Sequence, residues 1–258
     1  MSESMRVEQL SVTPVKSLAV HHPDHVDLGA NGVEGDRAFY LIDDTGKIVN
    51  CTALGDLLRY RADYDSATGR LEVHGPEGLV QAGYVEEGDG IETDFYGLRS
   101  VAGNLVVGWD EVFSGIAGFP LRLVRGQTAG FDVAGVTLIA TPSLVELASR
   151  NEAEPVDARR FRMNIEISGS AALAEDTWED RHLRLGSAVV RVGGLVLRCA
   201  ATTRDPDTGV VDLKTLEMIG KLKGRQETAT FGKGFYFGVY AHVVDPGRVS
   251  VGDSVTLL

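Results

Sequence analysis

A long β-rich run at residues 182–203, HLRLGSAVVRVGGLVLRCAATT, constrains the fold more than any other stretch. Valine and leucine dominate the run, and Gly186 and the pair Gly193-Gly194 interrupt it, which predicts strands broken by turns or bulges. Shorter runs of the same kind recur along the chain. They predict further strands at AFYLID (38–43), GRLEVHG (69–75), FPLRLVR (119–125), GVTLIA (135–140) and FRMNIEISG (161–169).

Helical spacing is confined to a few segments. TPSLVELASRN (141–151) predicts a helix capped by Thr141 with Pro142 in its first turn, and LKTLEMIGKLKG (213–224) predicts a second that ends at Gly224. A shorter helix is predicted around Leu57 in CTALGDLLRYRADY (51–64). Many short strands with few helices predict a β-rich α+β fold, barrel-like in the second half.

Residues 86–118 are rich in glycine and acidic side chains and show poor periodicity. We place a domain boundary in or just after this segment, which gives one domain at 1–115 and a second at 116–258.

The remaining loops carry local turn signals. Asp44-Thr45-Gly46 predicts a hairpin between AFYLID and KIVN.

The formal net charge is −12, and no basic run with interleaved aromatic residues is present, so nucleic acid is not an expected partner. No apolar run approaches the ~20 residues needed to span a membrane, and the first residues do not resemble a secretory signal. We therefore expect a cytoplasmic protein without a membrane partner. The two cysteines, Cys51 and Cys199, are expected to be free thiols, too few for a four-cysteine zinc site.

Cys199 has two open interpretations. It ends a strand-like run, where a cysteine is commonly a small buried hydrophobe. It also precedes a dense turn signal at 205–209, and a thiol between strand and loop is well placed to face a pocket as a nucleophile or soft metal ligand. Strand alternation points Arg198 to the opposite face. None of the six histidines stands in a context that pairs it with this thiol, and those at 21, 22 and 25 are expected in an exposed loop.

The segment RCAATTRDPDTG (198–209) resembles the cysteine signature of MOSC domains. The chain is similar over nearly its whole length to the amidoxime-reducing members of that family. The further motifs that carry the resemblance, in the family's order, are PVKS (14–17), GDRAFYLID (35–43), FRMNIEISG (161–169), AEDTWED (174–180) and VSVGDSVTLL (249–258). The resemblance implies a barrel-like MOSC domain preceded by a β-rich, barrel-forming MOSC-associated domain.

The resemblance also implies a cofactor and the residues that hold it. Cys199 matches the catalytic cysteine whose sulfur ligates molybdenum in the molybdenum cofactor (Mo-molybdopterin), and a soft thiolate suits such a metal. No role for pyridoxal phosphate is implied. Cys51 falls where no functional cysteine is recognised, so it is interpreted as a structural thiol. The residues that match cofactor-contacting positions are Lys16, Ser17, Arg37, Arg162, Asn164, Arg198 and Tyr240.

The implied activity is the reduction of N-hydroxylated small molecules, such as amidoximes and hydroxylamines. The chain ends directly after the MOSC motif, so electrons are expected from a separate ferredoxin or a cytochrome with its reductase. Three alternatives stay open. The chain could be a sulfur carrier or cofactor-binding protein with a persulfide on Cys199, a cofactor-free assembly module, or a cysteine hydrolase or transferase, which would need a histidine within reach of the sulfur.

Overall fold

A computed structural model of the protein describes residues 4–258, with 44% strand and 17% helix. Numbered along the chain, its strands are β1 Arg6–Leu10, β2 His25–Gly29, β3 Gly32–Val33, β4 Phe39–Asp43, β5 Ile48–Val49, β6 Arg61–Asp65, β7 Arg70–Gly75, β8 Gly78–Tyr84, β9 Glu87–Phe95, β10 Arg99–Val106, β11 Leu121–Gly126, β12 Val136–Ala140, β13 Ile165–Ser168, β14 His182–Leu185, β15 Ala188–Leu197, β16 Gln226–Thr228, β17 Gly232–Gly234, β18 Tyr236–Asp245, β19 Gly247–Ser250 and β20 Val255–Leu257. The α-helices are α1 Asp110–Ala117, α2 Thr141–Arg150 and α3 Thr215–Lys223. Four 3-10 helices span Gly55–Arg59, Ala158–Phe161, Ala174–Thr177 and Ala200–Thr203.

The larger sheet nearly closes into a barrel. Its strand order is β1-β13-β12-β18-β15-β14-β20, and the two end strands come together where Arg6 pairs with Ser254. Alternate side chains of these strands fill the interior, among them Val7, Leu138 and Leu183. The predicted β-rich, barrel-like fold is therefore confirmed.

Glycines 193 and 194 do not end their strand. β15 continues through them, and its pairing with β18 shifts register between Val192 and Leu195. A register shift of this kind is a bulge, which bends the strand and increases its twist. A second shift between Leu195 and Leu197 carries the irregular pairing to the end of the strand.

A five-stranded sheet in order β5-β4-β11-β10-β9 forms the centre of the N-terminal half. α1 packs on it, and Phe39, Leu41, Trp109 and Phe113 belong to one buried core. The smaller sheet β6-β7-β8 supplies Leu71 to the same core. β11 follows residue 115 in sequence and pairs with β4, whereas β1 and β2 pair with β13 and β19 of the second half. The division at 115/116 stays a prediction.

Residues 86–118 are more regular than their composition suggests. They form the hairpin of β9 and β10 and then α1. Most of β9 is exposed, so its glycines and acidic side chains lie on a solvated face where no apolar period is required. The poor periodicity of this segment therefore does not mark an irregular loop.

The helical predictions have mixed outcomes. α2 and α3 are confirmed, and Gly224 follows the last residue of α3. Thr141 does not cap α2. Its hydroxyl donates a hydrogen bond to Glu166 at 2.9 Å, and Ala140 holds the cap position without a side-chain bond. The segment 51–64 forms a single 3-10 turn at Gly55–Arg59 before β6 begins. Across residues 4–258, no helix has the length and apolar character to cross a membrane.

Candidate functional site

A cavity of about 170 Å³ lies where the two halves of the chain meet. Loops from both halves line it, because the chain passes between the halves several times. All eight site residues predicted from the sequence lie on its wall, although Lys16 and Cys199 are far apart in the chain. These eight are Lys16, Ser17, Arg37, Arg162, Asn164, Arg198, Cys199 and Tyr240.

Cys199 stands between the end of β15 and the 3-10 helix Ala200–Thr203. Its backbone is held by Thr202, whose N–H and hydroxyl both donate to the Cys199 carbonyl. The side chain is exposed, and its sulfur lies 3.6 Å from Thr52 Oγ1. Among residues 4–258 no histidine lines the cavity, so the geometry does not provide the base that a cysteine hydrolase would need.

Arg198 does not turn away from the cavity as alternation predicts. Regular strand geometry ends at Leu197, so the alternation rule no longer applies to the next two residues, and both line the cavity. The Arg198 guanidinium donates to the carbonyls of Phe237 at 2.7 Å and Phe161 at 2.9 Å. Burial lowers the pKa of Arg198 to about 10, which leaves it protonated at neutral pH.

Lys16 places a second cation in the wall. Its side chain is buried, and Nζ donates to Asp132 at 2.7 Å and to the Gly130 carbonyl at 3.0 Å. Burial lowers the pKa of Lys16, and the neighbouring Arg37 and Arg162 lower it further, while Asp132 opposes the shift. Like charges are thus concentrated here despite the acidic composition of the chain.

Arg37 and Arg162 complete the positive wall. Arg37 pairs with Asp36 and donates to the Arg162 carbonyl at 3.0 Å. The Arg162 guanidinium donates to the Leu18 carbonyl at 2.6 Å, and burial lowers its pKa. Among the described residues, neither Arg162 nor Arg198 has a carboxylate within salt-bridge distance. The cavity therefore has positive charge that its own carboxylates do not neutralise, and it favours an anionic ligand.

Asn164 is fixed by the protein itself. Its Oδ1 accepts from the N–H and hydroxyl of Thr137, and its Nδ2 donates to the Ser11 carbonyl and to Asp36 at 2.9 Å. Asp36 in turn holds Arg37. The side chain of Asn164 therefore helps to position the Asp36–Arg37 ion pair, in which Arg37 lines the cavity.

Tyr240 lies on β18, next to the bulged part of β15, and is half-buried. Burial raises its pKa to about 12, so its phenol is neutral in the physiological range.

Asp205, which follows Cys199 by six residues, accepts bonds from the N–H groups of Asp207 and Thr208. The turn role that its sequence context suggests is confirmed.

Backbone strain is concentrated at this cavity. Seven non-glycine residues between 4 and 258 have a positive φ. Four of them line the cavity, namely Ser17 at 78°, Arg37 at 51°, Tyr96 at 60° and Arg162 at 54°. Such conformations persist only where surrounding contacts hold them, and they cluster at ligand sites.

Sequence reasoning missed a turn that contributes to the cavity. Asn50, Cys51 and Thr52 line it together with Tyr96 from the β9–β10 hairpin. Cys51 is buried, as predicted for a structural thiol, and it also contributes to the wall. The available signals were the pair Asn50 and Thr52, which suits an Asx turn, and the dipeptide Tyr96-Gly97. Neither signal indicates that these segments meet Cys199.

Comparison with known proteins identifies two family models in the chain. The model of the MOSC domain matches residues 125–256, and that of the MOSC N-terminal beta barrel domain matches residues 4–90. The human protein "Mitochondrial amidoxime-reducing component 1" is 39% identical over 139 residues, which cover 52% of this chain and 40% of the human protein. Human "Mitochondrial amidoxime reducing component 2" is 36% identical over 133 residues, covering 50% and 38%.

Rice "Molybdenum cofactor sulfurase" (Oryza sativa subsp. japonica) is 26% identical over 253 residues, covering 84% of this chain and 30% of that protein. Each of these matches thus spans less than half of the relative's length. Among solved structures, the YUAD protein from Bacillus subtilis superimposes with a TM-score of 0.48 at 13% identity, covering 98% of this chain and 94% of that one.

The MOSC match begins near the end of β11 and ends within β20, so it includes every strand of the barrel sheet except β1. It also includes Cys199 and the cavity residues contributed by the second half of the chain. It extends over just over half of the 258 residues. The chain therefore belongs to the MOSC domain family.

Proposed function

We propose that this protein is a molybdenum-cofactor-dependent oxidoreductase that reduces N-hydroxylated small molecules, such as amidoximes and hydroxylamines. In this proposal a separate electron-donor protein, of the ferredoxin or cytochrome type, supplies the electrons. One observation carries the proposal: an exposed thiol, Cys199, shares a cavity with five cationic side chains, those of Lys16, Arg37, Arg160, Arg162 and Arg198. The names of the amidoxime-reducing relatives supply the substrate class.

The chemistry of the wall fits the proposed cofactor. A thiolate is a suitable ligand for a metal already bound to sulfur, and Cys199 is exposed beside the cavity. A terminal phosphate needs cations and hydrogen-bond donors. Lys16 and Arg37 already form ion pairs with carboxylates. The guanidinium groups of Arg162 and Arg198 instead donate hydrogen bonds to backbone carbonyl oxygens. A phosphate bound there would neutralise the unpaired charge.

When bound, the cofactor would supply two-electron redox chemistry at molybdenum. The chain's own residues have defined tasks. Cys199 would fix the metal, and Arg162 and Arg198 would hold the anionic part of the cofactor. Asn164 and Asp36 would keep Arg37 in place. The neutral phenol of Tyr240 would offer a hydrogen bond inside the cavity without adding charge.

A second candidate function uses the same site but makes the protein a sulfur carrier or cofactor-binding protein instead of a reductase. The exposed sulfur of Cys199 would also suit a persulfide, and one relative is named a molybdenum cofactor sulfurase. A sulfur carrier or cofactor-binding protein would need an accessible thiol and a sulfur donor, and no electron donor. This candidate predicts a sulfur adduct on Cys199 and no reductase activity.

The test compares the wild type with Cys199→Ser, both expressed in a host that makes the pterin cofactor, with Cys51→Ser as the matched control. We expect near-stoichiometric molybdenum in the wild type and amidoxime reduction with reduced methyl viologen as artificial donor. Cys199→Ser should lose activity and show an altered metal spectrum, while Cys51→Ser retains both.

Absence of molybdenum from the wild type would overturn the reductase proposal. Mass spectrometry of the intact chain would then look for an added sulfur atom on Cys199. An adduct that disappears in Cys199→Ser would establish the carrier alternative.

A further inference from the structure

The tip of the β9–β10 hairpin holds a tyrosine in a fixed position at the cavity. Tyr96 and Gly97, in the three-residue connection between β9 and β10, have φ values of 60° and 72°. The Leu98 N–H donates to the Phe95 carbonyl at 3.0 Å, and the Asp94 carboxylate accepts from the Gly97 N–H. These bonds fix the backbone at the tip of the hairpin.

The Tyr96 hydroxyl meets Asn50 across the edges of the N-terminal sheet. β5 and β9 are the two edge strands, and Asn50 and Tyr96 are the residues that directly follow them. Asn50 Nδ2 lies 2.7 Å from Tyr96 Oη. This bond joins the two edges of the sheet at the cavity.

The orientation of the Asn50 amide is set by its other contacts. Asn50 Oδ1 accepts from the N–H of Thr52 at 3.0 Å and from the N–H of Ala53 at 3.3 Å, so the amide nitrogen must face the tyrosine. In the 2.7 Å bond the amide therefore donates and Tyr96 Oη accepts. The hydroxyl hydrogen of Tyr96 is not used in this bond, and none of the described residues accepts it.

This free donor lines the same cavity as the thiol. Thr52, in the same turn as Asn50, has its hydroxyl 3.6 Å from Cys199 Sγ. Tyr96, Thr52 and Cys199 all line the same cavity. Burial is the main cause of a pKa of about 12 for Tyr96, so its hydroxyl keeps its hydrogen at neutral pH.

We infer that Tyr96 donates a hydrogen bond to the oxygen of an N-hydroxylated substrate bound beside Cys199, and that Asn50 positions Tyr96 to do so. The inference rests on the proposed function. The N–O oxygen is a good acceptor, and Tyr96 offers a donor in the same cavity as the thiol. Tyr96 is thus a substrate-binding residue supplied by the N-terminal half, and it keeps its proton throughout.

The experiment measures binding without turnover. Benzamidoxime is titrated by calorimetry into the oxidised holoenzyme with no electron donor present. Tyr96→Phe should raise Kd about fivefold, the effect of one lost hydrogen bond. Asn50→Asp should do the same, because the new carboxylate keeps the bonds to Thr52 and Ala53 but accepts the tyrosine hydrogen. Tyr84→Phe, at an exposed tyrosine outside the cavity, is the matched control and should not change Kd.

Molybdenum content and circular dichroism are measured for every variant. Unchanged Kd in both Tyr96→Phe and Asn50→Asp would overturn the inference while leaving the proposed function intact. An equal rise in Tyr84→Phe would overturn it too, since the effect would not belong to the cavity. A loaded wild type that neither binds nor reduces benzamidoxime would overturn the proposed function and this inference together. If Tyr96→Phe does not fold, the Kd of Asn50→Asp for benzamidoxime tests the inference alone: a rise supports it, and an unchanged Kd overturns it.

Discussion

Thr52 Oγ1 lies 3.6 Å from Cys199 Sγ, a contact between residues 147 positions apart. It brings the turn after β5 onto the thiol at the end of β15. The second cysteine lies one position before Thr52 and is buried, with 5% of its surface exposed. The two thiols thus share a cavity but differ in accessibility.

The difference predicts selective alkylation. In cofactor-free protein, iodoacetamide should modify Cys199 roughly tenfold faster than Cys51 or more, because a reagent reaches an exposed thiol without local unfolding. Peptide mass spectrometry over time gives both rates. Cys51→Ser should leave the Cys199 rate unchanged. Equal rates at the two positions would contradict the structure.

Loss of one unpaired cation should weaken cofactor retention. In Arg162→Gln we expect molybdenum per chain to fall, with affinity about tenfold to a hundredfold lower, because a hydrogen bond to a charged group contributes about 1.5–3 kcal/mol. Arg184→Gln, on an exposed position of β14, is the control and should stay loaded. Full loading of a folded Arg162→Gln protein would show that this guanidinium does not hold the cofactor.

The turn after Cys199 should tolerate no side chain at Gly209. Its φ is +73°, and a Cβ would lie 2.2 Å from the Gly55 carbonyl oxygen. Gly69 has a φ of +75° and open space around the same position. Each alanine adds left-handed strain of about 1 kcal/mol. Gly209→Ala also adds a clash, so urea unfolding should show a further loss of about 1–3 kcal/mol. Equal losses at the two glycines would refute the close contact.

Glu175 should make stability depend on pH. Its side chain is buried, where it accepts bonds from Ser143 Oγ and the Ala140 N–H, and burial raises its pKa. A carboxyl with a raised folded-state pKa contributes fully below its unfolded value near 4.5, and the contribution is lost as pH rises through the folded value. Glu175→Gln should therefore gain stability relative to the wild type as pH rises above about 4.5. Urea midpoints at several pH values measure this, and a constant difference would contradict it.

Local patterns identified the parts of the structure that depend on nearby residues. Pro142 and Gly224 fit the start of α2 and the end of α3, and the Asp44-Thr45-Gly46 turn joins β4 to β5 as predicted. The failures have local causes as well. Thr141 bonds Glu166 instead of capping its helix, because a side-chain partner from β13 lies within reach.

The cavity could not be assembled from local patterns. Lys16, Arg37, Arg162 and Cys199 come from four loops, and family resemblance alone grouped them in advance. Asn50 and Tyr96 are outside the motifs that carry that resemblance. β5 and β9 are opposite edges of the sheet β5-β4-β11-β10-β9, so Asn50 and Tyr96 meet only because the sheet closes on itself there. No pairing rule along the sequence specifies that closure.

The Asn50–Tyr96 bond links the two edges of the N-terminal sheet, at β5 and β9, beside the cavity. By thermodynamic linkage, a molecule that binds Tyr96 more tightly while this bond is formed must favour the closed sheet, and opening of the sheet must weaken its binding by the same factor. Occupancy should then be visible far from the thiol, as slower amide exchange along β5 and β9. Amide exchange at these two strands would then measure whether a ligand occupies the cavity.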